Sequence, residues 1–241
     1  MELAAACLAA FLASILGGLS GFGTGLVLPV FLVPVVGIVN VVPVMAVAMV
    51  LNNGSRVVAF RADIAWPHAR RMLVFGLPAC ALGAWGYTLL AADAIALLLG
   101  TFLLASVPLR RALKRAQWQL SPRGERIAGA GFGFFNGGLT GTGVILISLL
   151  MAAGVDGAAL VATDAIVSVI MGLAKIALFG SLAALDARLA ATGLLIGLCT
   201  APGAFVARWL LHRIPAGVHA GIMEAVVVAG ALALLWRGLA R

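Results

Sequence analysis

Apolar residues run through this chain in blocks, roughly 3–16, 25–38, 41–60, 72–90, 94–109, 127–136, 143–155, 158–180, 188–207 and 218–236. Short polar or glycine-rich breaks separate them, and the only markedly polar stretch is Arg110 to Arg126, RRALKRAQWQLSPRGER. Blocks this apolar predict helices that cross a bilayer, at about 20 residues per crossing. The first 38 residues would make a helix of ~57 Å, too long for one straight crossing. That run is interrupted at Gly17–Gly25, which predicts two half-helices forming a re-entrant hairpin. Residues 127–155 read the same way.

The two halves resemble each other. At an offset of 120 residues, Gly17-Gly18-Leu19-Ser20-Gly21-Phe22-Gly23 falls on Gly137-Gly138-Leu139-Thr140-Gly141-Thr142-Gly143, with five of seven positions identical. Gly37 then matches Gly154, Arg56 matches Lys175, and Gly83-Ala84 matches Gly203-Ala204, all within three residues of that offset. A string of glycines can recur by chance; the basic pair at corresponding places favours duplication, a habit of secondary transporters. The expected fold is therefore an all-α integral membrane protein of two repeats, 1–109 and 127–241, joined by a basic cytoplasmic linker, 110–126. Each repeat holds one broken-helix hairpin and about three transmembrane helices. Three is odd, so the second repeat enters the membrane inverted.

Composition and charge fit this picture. Of the 241 residues, 63% are hydrophobic and 10% charged, and the mean hydropathy is +1.17, against about 25% charged in soluble domains. The net charge of +8 comes from basic clusters between apolar blocks rather than from one basic face, which argues for topogenic charge and against nucleic acid. Placing loops 61–71, 110–126 and 208–217 in the cytoplasm collects eleven of the sixteen Lys and Arg residues there and leaves both termini outside. Full crossing by both hairpins would give parallel repeats and a worse charge split. Trp66, Trp209 and Trp236 fall at expected interfaces. No basic region precedes the first apolar run, so that run is expected to belong to the mature protein. Cys7, Cys80 and Cys199 lie within apolar blocks without metal-binding spacing; no disulfide framework, metal or cofactor is expected.

Candidate chemistry sits at the breaks. Irregular backbone at membrane depth is tolerated where it is buried or lines a wet cavity. The segments Ser20-Gly21-Phe22-Gly23-Thr24 and Thr140-Gly141-Thr142-Gly143 would offer bare amides, a positive helix end and hydroxyls, which together suit a small anion. Helix packing through small residues is the plainer account of one such cluster; two matched clusters favour a site. In 158–180, Asp164, Ser168 and Lys175 share one helical face, while Asp164 and Lys175 lie ~16 Å apart along it, too far to pair. The matching block carries Asn52, Asn53 and Arg56, so each repeat contributes one base. Arg56 and Lys175 read either as anion ligands or as snorkelling side chains. Asp164 reads as a proton carrier or a helix-start residue, Glu224 as a proton carrier or a partner for an Arg, and Asn136 as a further polar ligand. Cys80 and Cys199 hold equivalent places and read either as contacts for a sulfur-containing solute or, more commonly, as small hydrophobes.

At these residues the chain resembles the sulfite exporter TauE/SafE family. GGLSGFGTGLVLPVF, FNGGLTGTGVIL, ATDAIVSVIMGLAKIALFG and GAFVARWLLHRIP carry the resemblance, and RADIAWPHARRML is similar to a family loop with Ala65 in place of the acid. The resemblance covers essentially the whole chain. It implies export or import of a small anion, typically sulfite, sulfoacetate or another organosulfonate, across the bacterial inner membrane by a multi-pass protein; the expected partners are the anionic solute and lipid, with the oligomeric state open.

Other classes compete. A passive anion channel or small-residue scaffold would show no competition between solutes. Gly18-Leu19-Ser20-Gly21 resembles the nucleophile motif of an intramembrane serine protease, but His68, His212 and His219 all lie in or beside cytoplasmic loops, away from a serine at depth that needs a base. An enzyme is not expected.

Overall fold

The computed structural model describes residues 7–8, 10–15, 23–116, 119–210 and 216–239; the side chains of 23, 110, 111, 113–116, 201, 203–210, 216–224, 226, 237 and 238 lie outside it. Helices account for nearly all of the described residues, and no strand occurs among them. After a helical stretch over 10–15 (α1), the order is α2 Gly23–Val36, α3 Val41–Phe60, α4 Trp66–Thr88, α5 Ala92–Ala116, α6 Pro122–Gly138, α7 Gly143–Ala152, α8 Gly157–Ser181, α9 Ala187–Leu210 and α10 Ala216–Leu239. Short 3₁₀ turns at Ile38–Asn40 and Arg61–Asp63 flank α3.

Among the described residues, three stretches are long and apolar enough to cross a membrane: Ile38–Asp63, Ala92–Leu109 and Gly157–Ser181. Outward-facing Ile127 and Trp236 are 74% and 76% exposed, a cost that lipid removes and water would not. α4 falls short of that apolarity. It spends Gly76 and Gly83 on close packing rather than on hydrophobic bulk.

Local chemistry explains where the helices end. Gly37 follows α2 with φ +77°, and Gly154 follows α7 with φ +83°, so the matched glycines end equivalent short helices. Ser121 Oγ accepts from Gly124 N at 3.2 Å, and Pro122 sits at the first position of α6. Asp186 Oδ1 accepts from Leu189 N at 2.7 Å as α9 begins.

The basic segments are more helical than their polarity predicts. In the expected linker, 110–116 continue α5 and 122–126 open α6; within the expected loop 61–71, α4 begins at Trp66. Ala, Leu, Arg and Lys are all strong helix formers, so charge there does not end a helix.

The helices pack in matched directions. Gly172 of α8 lies on Val50 of α3, while Asp164 of α8 reaches Arg56, so α3 and α8 run antiparallel. Gly193 and Gly197 of α9 lie on Val47 and Leu51 of α3, a parallel pair. Thr163 and Met171 of α8 meet Ala65 and Gly76 at α4, again parallel. α10 packs on α2 and α5, and α7 packs on α5 and α8. One apolar core gathers Leu28, Leu32, Met45, Ile95, Leu99 and Phe179; a second gathers Met72, Phe132, Leu146, Leu150 and Met171 from α4, α6, α7 and α8.

Candidate functional site

Between α6 and α7 the helix breaks over Leu139–Thr142. Gly141 takes φ +78°, which a side chain rarely adopts, and a Cβ there would meet Leu26 Cδ2 at 2.3 Å. Across from it, a Cβ on Gly25 would lie 3.1 Å from Gly141 Cα. The break of the second half thus rests directly on the start of α2 in the first.

Beside this contact lies a cavity of about 90 Å³, room for a small oxyanion or a few waters. Thr24 and Gly25 line it from α2, Asn52, Asn53 and Arg56 from α3, and Asn136 from α6. Thr140, Gly141, Thr142 and Gly143 come from the break; Asp164, Ser168 and Lys175 come from α8. All sequence candidates with described side chains in this region therefore share one cavity. Ser20, Gly21 and the side chain of Glu224 lie outside the described residues, and Gly23 is the first residue of α2.

Several features make the lining receptive to an anion. Thr142, the N-cap residue of α7, makes no side-chain cap bond; its hydroxyl donates to Asn136 Oδ1 at 2.8 Å. The first-turn amides of α7 are thereby left without a side-chain cap at the positive end of the helix. Lys175, only 7% exposed, donates through Nζ to Asn136 O at 2.9 Å. That carbonyl belongs to the last turn of α6, so the ammonium sits on the negative end of the broken helix. At the other end of the cavity, Arg56 Nη1 donates to Asp164 Oδ2 at 3.0 Å and to Asn53 Oδ1 at 3.1 Å. Two buried atoms here have no hydrogen-bond partner, Thr140 Oγ1 and Asp164 Oδ1. Leaving such groups unmet is costly, and both belong to residues that line the cavity.

Other expectations change. Lys175 does not snorkel; it turns inward, because an orphan helix carbonyl lies within reach. Asp164 is no helix-start residue: Asp156 precedes α8 in extended conformation, and Asp164 lies two turns inside, held by Arg56. Cys80 is buried between α4 and α6, 3.9 Å from Asn136 Nδ2, and neither it nor Cys199 is among the residues lining the cavity.

Sequence reading also missed Met45, Met49 and Gly172 as lining residues, since nothing in their pattern separates them from packing. It missed a second polar cluster, where buried Glu125 of α6 accepts from Arg71 Nη1 at 2.9 Å and sits 2.9 Å from His68 Nδ1, both on α4. In sequence Glu125 stands within the basic stretch 110–126; only the helical register of α6 turns it inward.

A model of the family Sulfite exporter TauE/SafE matches residues 6–234. No curated protein and no solved structure matches the chain. Because the match takes in both halves and the cavity between them, the chain belongs to the sulfite exporter TauE/SafE family, membrane transporters that export sulfite and related anions.

Proposed function

We propose that this chain is a secondary transporter that carries a small sulfur oxyanion, sulfite or an organosulfonate such as sulfoacetate, across the bacterial inner membrane by alternating access. The carrying observation is the cavity at the helix break. There a lysine, an arginine, uncapped helix amides and an unpartnered threonine hydroxyl converge in about 90 Å³. Thr24, Thr140, Gly141, Thr142, Gly143, Asn136 and Lys175 form the anion's bed, with Asn52 and Arg56 at the far end. By their match in sequence to Thr140, Gly141 and Gly143, Ser20, Gly21 and Gly23 of the first repeat belong to the same proposal.

Inverted repeats supply the motion. Exchanging each helix of the first half with its counterpart five places later maps the antiparallel α3–α8 pair onto itself. The same exchange maps the parallel α3–α9 pair onto α8–α4, and α2–α10 onto α7–α5. This packing supports a twofold relation within the membrane plane, so that tilting one repeat against the other opens the cavity to alternate sides.

Sulfite counterflow in proteoliposomes tests the proposal. Wild-type protein is expected to accumulate labelled sulfite against unlabelled sulfite inside, with competition by sulfoacetate. Gly143→Leu, which fills the bed, is expected to abolish that flux. Unchanged flux in folded Gly143→Leu protein, or flux without counterflow, would remove the proposed site or the carrier mechanism respectively.

A further inference from the structure

The lining carries three charged groups among its described residues: Arg56, Lys175 and Asp164. With Lys175 as ammonium and Asp164 as carboxylate they sum to one positive charge. A dianion placed there leaves one uncompensated negative charge in a buried space, which is unfavourable. A single proton added to the lining restores neutrality.

The geometry names the place for that proton. Asp164 is 3% exposed, and its Oδ2 is taken by Arg56 at 3.0 Å. Its other oxygen, Oδ1, is buried with no partner. As a carboxylate oxygen Oδ1 only accepts hydrogen bonds, and an incoming anion repels it; as a protonated oxygen it becomes a donor that the anion can use.

Other titratable groups on the elements packed against α8 do not compete for this role. On the 3₁₀ turn, Arg61 and Asp63 are exposed. On α4, His68 and Arg71 are engaged with Glu125 of α6, Arg70 is exposed, and Cys80 and Tyr87 are buried away from the cavity lining. Arg123 and Arg126 of α6 are exposed, and α7 has no titratable residue.

Resting on the transport reading above, we propose that the solute crosses as a dianion together with one proton, and that Asp164 Oδ1 is the atom on which the proton rides. On the loading side a proton from water forms an O–H bond at Oδ1 as the dianion settles between Arg56 and Lys175. On the releasing side that bond breaks, the proton returns to water, and the carboxylate again pairs with Arg56. No electron is exchanged.

The test uses sulfite and the full chain in detergent and in proteoliposomes. Proton uptake per sulfite bound is measured in weak buffer for wild type and Asp164→Asn. The wild type is expected to take up one more proton than the variant. In vesicles, Asp164→Asn is expected to lose sulfite accumulation driven by a pH gradient, while in detergent it still binds sulfite, since asparagine mimics the neutral acid. Equal proton uptake in the two proteins would place the proton on the solute and overturn the proposal, as would a folded variant that binds no sulfite.

A measurement needing no variant guards against misfolding. Infrared difference spectra of wild-type protein labelled with ¹³C-aspartate should show a protonated carboxyl band on sulfite addition, shifted by the label. Sulfite binding without that band overturns this proposal alone. Wild type that binds no sulfite removes the transport reading, and this inference falls with it.

Discussion

Glycines crowd two places in this protein and serve different ends. Along the α4–α6 seam, a Cβ at Gly83 would lie 2.0 Å from Phe134 O, one at Gly133 2.1 Å from Gly76 O, and one at Gly137 2.2 Å from Cys80 O. There the missing side chains let two helices touch backbone to backbone, between buried Met72 and Phe132. At the break, Gly25 and Gly141 also meet closely, yet in the cavity they border, buried Thr140 Oγ1 and Asp164 Oδ1 lack partners. No such atom occurs on the seam among the described residues. Glycine marks where backbones approach; unmet polarity marks where a solute belongs.

Substitutions can separate the two uses. The largest effect is expected at the seam: Gly133→Leu drives a side chain into a backbone carbonyl that cannot step aside. Size-exclusion chromatography in detergent should show loss of most folded protein, and a normal monodisperse yield would break the contrast. At the break, Lys175→Met should fold but lower sulfite flux roughly 10- to 100-fold, as expected for a charge-assisted hydrogen bond of about 1.5–3 kcal/mol.

A smaller and more telling change is Thr140→Val. Removing a buried hydroxyl without a partner should leave thermal stability unchanged or raise it, while flux falls roughly fivefold for a neutral bond of about 1 kcal/mol. Lower stability with normal flux would make that hydroxyl structural. The smallest effect is expected at Gly86 in α4, where an added Cβ meets nothing within 4 Å. Gly86→Ala should leave flux unchanged and stability within about 1 kcal/mol of wild type, read by thermal unfolding in detergent.

Much of this was legible in the chain itself. The bounds of α3, 41–60, and the interruption before Gly143 follow from apolar blocks ended by glycine and asparagine. The shared face of Asp164, Ser168 and Lys175 follows from helical spacing, and the structure turns that face onto the cavity. What remained hidden depends on contacts between helices. The Arg56–Asp164 pair spans 108 residues, and spacing within one helix is silent about it. Lys175 finds a backbone carbonyl, a partner that no side-chain pattern announces. The helical character of 110–116 and 122–126 was masked because the same Arg and Lys residues serve both topology and helix propensity.

The most direct test is diffraction at the selenium edge from crystals of protein with ordinary methionine, grown with selenite as a heavier relative of sulfite. The account predicts one ordered selenium peak inside the cavity, flanked by Thr140, Gly143 and Lys175 and within reach of Arg56. A peak elsewhere in the fold with this cavity empty, or a continuous helix through residues 139–142 that leaves no cavity, would contradict it.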